Sequence, residues 1–327
     1  MTVATGIGSW PGDEARDYAE AVRVVLGELP DLPHLPELPA RGPGATMVGR
    51  ALAMIGDLSF DLQPAGWRLT DHPGIDHRRA RSLLAQDLDA LEERSQEFDG
   101  TFKVQVAGPW TLAAMVERPR GDKILADHGA RRELAQALAE GVSIHLDDVR
   151  RRVAASRIVV QVDEPALPAV LSGAVPTASG FGRHRVVHPP EASDALEWVL
   201  EMAGVEPWVH CCAREVPWQL LRGAGARGLS AALDMLDPGD IDVFAEALEA
   251  GETVALGVVP SLEPATPPTA TALTEHVLRW LDMTGLDPEA VADRLVLTPT
   301  CGLAGASPTW ARRALALCHE AATNLSD

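Results

Sequence analysis

Residues Ile158–Leu167 read Ile-Val-Val-Gln-Val-Asp-Glu-Pro-Ala-Leu. Ile158–Val162 is a short, nearly unbroken apolar run, which suits a strand buried on both faces. Asp163 emerges where that strand ends. A free carboxylate at the tip of a buried strand is costly unless something receives it, so Asp163 is expected to hold an amino group or orient a ligand. Glu164 either joins it in contacting a ligand or pairs with a basic residue on the rim.

In both directions from this stretch the pattern repeats. Further strand candidates are Val3–Ser9, Phe102–Pro109, Pro207–Cys212, Gly228–Met235, Thr253–Pro260 and Arg294–Gly302, with an eighth in Asp61–Leu69. Amphipathic helical stretches such as Arg78–Phe98, Ala130–Ala155 and Ala192–Ala203 lie between them. Strands alternating with helices imply parallel pairing and right-handed crossovers. Eight such units in 327 residues suit an α/β fold, a single-domain (β/α)8 TIM barrel over residues 1–327. One segment stands apart. Leu29–Gly44, in a loop over about 29–45, reads LPDLPHLPELPARGPG, with proline at almost every third position. Proline at that density argues against helix and central strand. The segment is therefore expected to run extended and solvated over the surface, as a linker or as a wall beside a site.

Unusual residues gather at strand ends. Gly8-Ser9-Trp10-Pro11 ends the first strand, Ala107-Gly108-Pro109-Trp110-Thr111 another, and Asp163-Glu164-Pro165 a third. His210-Cys211-Cys212, Asp234, Pro260-Ser261 and Thr300-Cys301-Gly302 end four more. In a parallel barrel these ends share the face where active sites are built. Residues two apart on a strand point to the same side, so His210 and Cys212 face the barrel axis together while Cys211 faces the helices. Imidazole and thiolate are ligands zinc prefers. Cys301, ending the last strand, closes near this pair, whereas Cys318 in the amphipathic stretch Arg312–Ala322 reads as a core thiol. Asp234 either supplies a fourth, oxygen ligand, or caps a helix or accepts a hydrogen bond at the strand end. The Gly6–Gly12 stretch departs from the dinucleotide spacing, and Pro11 interrupts it. Its glycines are expected to let the backbone approach a small ligand, with Ser9 as a donor. His72, His77, His184 and His188 read as surface groups.

Bulk composition narrows the partners. Hydrophobic residues make up 46% of the chain, enough for a substantial core. A formal net charge of −19 argues against a nucleic-acid or anionic-membrane partner, since both need clustered Lys and Arg. No apolar run approaches the roughly eighteen residues of a membrane span, and the first residues lack the pattern of a signal peptide. A cytoplasmic location with four reduced cysteines is therefore expected.

Taken together, GIGSWP at Gly6–Pro11, AGPWT at Ala107–Thr111, VQVDEPAL at Val160–Leu167, HCC at His210–Cys212 and TPTCGL at Thr298–Leu303 resemble the catalytic barrel of cobalamin-independent methionine synthases. The resemblance runs over essentially the whole chain in the expected order. It implies a Zn2+ ion held by His210, Cys212 and Cys301, with Asp234 where the family carries an acidic ligand, normally glutamate. It implies Asp163 as the carboxylate holding the amino group of homocysteine, and Ser9 in contact with the amino-acid moiety. Gly8, Ser9, Trp10, Asp163 and Glu164 form the expected substrate set, with Asp163 and Asp234 in the catalytic set. The implied reaction is methyl transfer to the homocysteine thiol, made nucleophilic by zinc.

The full-length enzymes carry an N-terminal barrel that this chain lacks. The seventh-strand segment Leu256–Ser261 lacks the family's histidine, and a pterin platform would have to come from Trp10, Trp67, Trp110 or Trp218. These departures favour a methylcorrinoid, free or on a carrier protein, over methyl-folate as donor. The competing readings are a uroporphyrinogen-decarboxylase-like or alkyl-thiol transferase barrel, and a non-catalytic descendant that binds a thiol or metal.

Overall fold

The computed structural model describes residues 1–201 and 204–326. Its strands are β1 (Val3–Ala4), β2 (Ser59–Gln63), β3 (Gly66–Thr70), β4 (Thr101–Ala107), β5 (Arg157–Asp163), β6 (Glu206–His210), β7 (Gly228–Ala232), β8 (Thr253–Val259) and β9 (Leu295–Pro299). The α-helices are α1 (Ala15–Glu28), α2 (Met47–Met54), α3 (Ile75–Arg94), α4 (Pro109–Met115), α5 (His128–Arg152), α6 (Leu167–Leu171), α7 (Pro189–Leu200), α8 (Trp218–Gly223), α9 (Pro238–Glu249), α10 (Ala270–Thr284), α11 (Pro288–Val291) and α12 (Pro308–Asn324). The helix expected over Ala192–Ala203 corresponds to α7; its last two expected residues lie outside the described ones. Among the described residues no helix is long and apolar enough to cross a membrane.

Seven strands form one parallel sheet in the order β1-β9-β8-β7-β6-β5-β4, curled as in a TIM-like barrel. The apolar runs explain why. β7 and β8 are buried along their whole length, as strands sandwiched between a barrel interior and a helical layer must be. The main hydrophobic cluster draws on residues from Ala4 to Ala322.

Two expectations need correction. Among the described residues no eighth strand closes the barrel, and the candidate at Asp61–Leu69 is instead an antiparallel hairpin, β2–β3, separate from the parallel sheet. Gln63 pairs with Gly66 across Pro64-Ala65, and proline there favours a tight reversal over a continuous strand.

The proline-rich segment occupies the gap between the sheet's edges. Lys103 N donates to Pro33 O at 2.9 Å and Leu35 N to Lys103 O at 2.9 Å on the β4 side. On the β1 side Glu37 N donates to Gly8 O at 3.1 Å and Trp10 N to Glu37 O at 2.7 Å. The segment is thus a buried seam and not a solvated surface loop. Proline removes only its own donor, so the N–H groups of Leu35 and Glu37 still pair with both edges. Leu29, Leu32, Leu35 and Leu38 recur every third residue, one face of a polyproline-like extended chain, and all four are buried.

Candidate metal and ligand site

At the C-terminal ends of the parallel strands lies a cavity of about 300 Å³. Its thiol wall is His210, the last residue of β6, with Cys212 just beyond it and Cys301 just beyond β9. His210 Nε2 lies 2.8 Å from Cys212 Sγ, and Cys212 Sγ lies 2.6 Å from Cys301 Sγ. The three ligand atoms all fall within 4.8 Å of one another. On the far side of the ring, His210 Nδ1 meets Ser230 O at 3.1 Å and Ser230 Oγ at 2.9 Å, both on β7. A carbonyl oxygen can only accept, so Nδ1 carries the proton and the Nε2 lone pair faces the thiols. The hydrogen bond from Cys212, aided by His210, holds the Cys301 thiol down to about 4. The same contact and burial push Cys212 up. An imidazole oriented by its second nitrogen and two soft sulfur donors fit a divalent metal of zinc's kind.

Asp234 does not join these donors. β7 ends at Ala232, and the following 3₁₀ turn, Leu233–Met235, carries Asp234 away. Its side chain is 81% exposed and lies 3.4 Å from His276 Nε2. This corrects its expected place as a ligand and in the catalytic set: β7 ends two residues before it, and the turn that follows directs it to solvent.

The opposite wall carries carboxylates. Asp163 ends β5 and accepts from Gln161 Nε2 at 2.7 Å through Oδ1. Burial pushes its carboxyl up to about 7, against the pull of His210 and Lys103. Beside it stands Glu37, from the proline-rich seam, held by Gln105 Nε2 at 3.1 Å and facing Arg50 Nε at 3.4 Å. Burial raises its carboxyl as well. The sequence reading passed over Glu37, Gln105 and Met47 of this lining. The seam was expected at the surface, and nothing local to Glu37 marks it as facing a cavity. Gly8 and Ser9 complete this side. Gly8 has a φ of 150°, and a Cβ there would meet Gln105 at 2.8 Å, so only glycine allows the backbone to line the cavity this closely. Ser9 O accepts from Leu303 N at 2.9 Å and its hydroxyl from Ala304 N at 3.3 Å, which ties this wall to the loop bearing Cys301.

Glu164 and Trp10 lie elsewhere. Successive residues at a strand end alternate sides, so Glu164 points outward as Asp163 points in. It is wholly buried and accepts from Trp110 N and Thr111 N, both at 2.8 Å, and from Thr111 Oγ1 at 2.7 Å. It therefore caps the start of α4, whose free N–H groups attract an anion, and neither touches the cavity nor pairs with a rim cation. A Cβ on Gly108 would collide with this carboxylate. Burial pushes the Glu164 carboxyl up to about 7 despite these donors. Trp10 is buried in the core, as are Trp67, Trp110 and Trp218, and none lines the cavity. Cys211 faces away and donates to Glu164 O at 3.3 Å, and Cys318 is buried in α12. His77 and His184, expected at the surface, are buried, bonded to Leu52 O and beside Asp122 respectively.

A TIM-like parallel sheet carrying an imidazole–dithiol cluster at its strand ends defines a barrel protein with a candidate site for a soft metal. The chain belongs to the cobalamin-independent methionine synthase family: the family model described as the cobalamin-independent synthase catalytic domain matches residues 1–324. Among solved structures, a B12-independent methionine synthase from Shewanella sp. W3-18-1 in complex with selenomethionine is similar at 13% identity and a TM-score of 0.63. The alignment covers 100% of this chain and 98% of that one; at this identity the likeness is one of fold. A GH5_18 protein from Bifidobacterium longum subsp. infantis aligns over 92% of this chain and 70% of its own, at 11% identity and a TM-score of 0.45, too weakly to bear on function. No curated protein sequence matches. The methylcorrinoid donor expected from the sequence is at odds with the family's independence from cobalamin.

Proposed function

We propose that this chain methylates the thiol of a small amino acid, homocysteine, with Zn2+ held by His210, Cys212 and Cys301. One observation carries the reading: a cavity of about 300 Å³ has the imidazole–dithiol cluster on one wall and two buried carboxylates, Asp163 and Glu37, on the other. An amino acid with a thiol at one end and an ammonium at the other matches both walls at once. Zinc, when bound, lowers the pKa of a coordinated thiol into the neutral range. The remaining work falls to the chain. Ser230 holds the His210 ring so that Nε2 faces the metal position. Asp163 Oδ1 is occupied by Gln161, which directs Oδ2 to the ligand's ammonium, and Glu37 lies across from it. Gly8 and Ser9 supply a close backbone wall. The single-domain reading rests on the core cluster running from Ala4 to Ala322, and a reducing cytoplasmic setting on the four free thiols.

Support comes from the family and from the Shewanella synthase, which was solved with a selenium analogue of methionine. Methyl-folate is the donor that cobalamin independence favours, and the core positions of the tryptophans require any pterin to be held by groups other than these indoles. A uroporphyrinogen-decarboxylase-like reading fares worse, because neither arginine nor lysine is among the cavity's lining residues and such a substrate presents many carboxylates. Metal analysis and homocysteine calorimetry in two buffers test the proposal. It expects about one zinc per chain and a proton released on thiol binding. A metal-free protein that ignores homocysteine overturns it.

A further inference from the structure

Lys103 is fully buried inside the barrel, although a lysine there is costly unless its ammonium is engaged. It lies on β4, and Nζ donates to Ile7 O at 3.1 Å and to Gln161 Oε1 at 2.8 Å. Gln161, on β5 and 1% exposed, donates through Nε2 to Ile7 O at 2.9 Å and to Asp163 Oδ1 at 2.7 Å. The chemistry of these partners fixes the amide. Ile7 O can only accept, so the end of Gln161 that meets it is the NH2, and the other end presents oxygen to the Lys103 donor. Asp163 thus receives its hydrogen bond from an amide whose orientation Lys103 locks from behind. Lys103 itself is not among the cavity's lining residues.

We propose that Lys103 is a positioning residue for amino-group recognition, acting through Gln161 to aim the Asp163 carboxylate into the cavity. This rests on the reading of the cavity as an amino-acid thiol site. Without Lys103, Gln161 Oε1 is a buried acceptor with no donor; Ile7 O still selects the NH2 end, but the side chain is drawn out of place toward other donors, and the bond that sets the Asp163 rotamer is weakened. The loss falls on the ligand's ammonium and spares its thiol, which the other wall engages.

The test compares homocysteine with 4-mercaptobutyrate, the same thiol acid without the amino group, by calorimetry on zinc-loaded protein. Wild type is expected to prefer homocysteine. In Lys103→Met the homocysteine dissociation constant should rise about tenfold, the worth of a hydrogen bond to a charged group. Affinity for 4-mercaptobutyrate and zinc content should stay unchanged, and in turnover KM should rise with kcat nearly constant. Gln161→Leu should show the same selective loss. Adding Lys103→Met to it should cost nothing further, because both act on one carboxylate. If Lys103→Met fails to fold, Gln161→Leu still tests the link to Asp163. Equal weakening of both thiols, an unchanged preference, or additive losses in the double variant overturns the proposal while leaving the site reading intact. Wild-type protein that binds neither thiol overturns the reading and the proposal with it.

Discussion

The thiol wall and the carboxylate wall face each other across one cavity, but the chain assembles them by different means. On the thiol wall, His210 and Cys212 stand two residues apart at the end of β6, and Ser230 on the adjacent strand sets the ring. Local strand periodicity and one parallel ladder place two of the three donors. On the carboxylate wall, Asp163 leaves β5 while Glu37 arrives from a proline-rich seam that touches β1's extension and β4. That wall exists only when the sheet's two edges are brought together. The thiol wall should therefore tolerate damage to the seam, and the carboxylate wall should not.

The sharpest break is on the thiol side. Cys301→Ser should abolish stoichiometric zinc and all metal-dependent thiol activation, since a structural soft donor is replaced by a poor one. Cys318→Ser, in the core of α12, should retain both; elemental analysis of the two variants decides the donor set. The next effect separates the walls. Leu35→Ala should cost about 2–5 kcal/mol of stability as a buried leucine truncation and weaken homocysteine binding, yet leave zinc content unchanged in the folded fraction. Urea unfolding with parallel metal analysis measures this, and zinc loss alongside ligand loss would show the walls to be coupled.

Glu164→Gln probes the residue next to Asp163 that turns outward. Replacing one of its oxygens by an NH2 leaves a buried donor at the start of α4 without an acceptor and should destabilise by about 2 kcal/mol, with homocysteine affinity unchanged. Asp163→Asn should do the reverse, keeping stability and zinc while weakening homocysteine about tenfold, or about 1.4 kcal/mol. The smallest effect is in pH dependence. Burial lowers the Lys103 ammonium from 10.5 to about 7, with Asp163 and Glu37 pulling the other way. Between those values the unfolded chain binds a proton there that the folded chain does not, so stability rises with pH. The cost of burying Lys103 is full below about 7 and fades toward 10.5. Urea midpoints of wild type should gain on those of Lys103→Met across that window, and parallel curves would place the lysine's charge elsewhere.

The same contrast governs how much was legible beforehand. The strands β4 to β9 announce themselves as apolar runs, and the clustering of His210, Cys212 and Cys301 follows from their places at strand ends. Asp234 was misplaced because the strand ends at Ala232, short of the expected Met235, and the chain turns before its side chain can reach the donors. Glu164 was misplaced for a related reason: sequence adjacency to Asp163 says nothing about which side of the sheet it takes. Glu37 was passed over because its surroundings are prolines, whose missing donors suggest a surface loop.

What the amino-acid order determined alone was therefore the local and periodic part: parallel β/α units, the inward pairing of His210 with Cys212, and a carboxylate at the end of β5. Tertiary structure alone decided which carboxylates face the cavity, that the proline-rich segment seams the barrel, and that Lys103 and Gln161 stand behind Asp163. The physical reason is that strand alternation is written in neighbouring residues. The closure of a curled sheet depends on contacts between segments tens of residues apart, and no local pattern reports them.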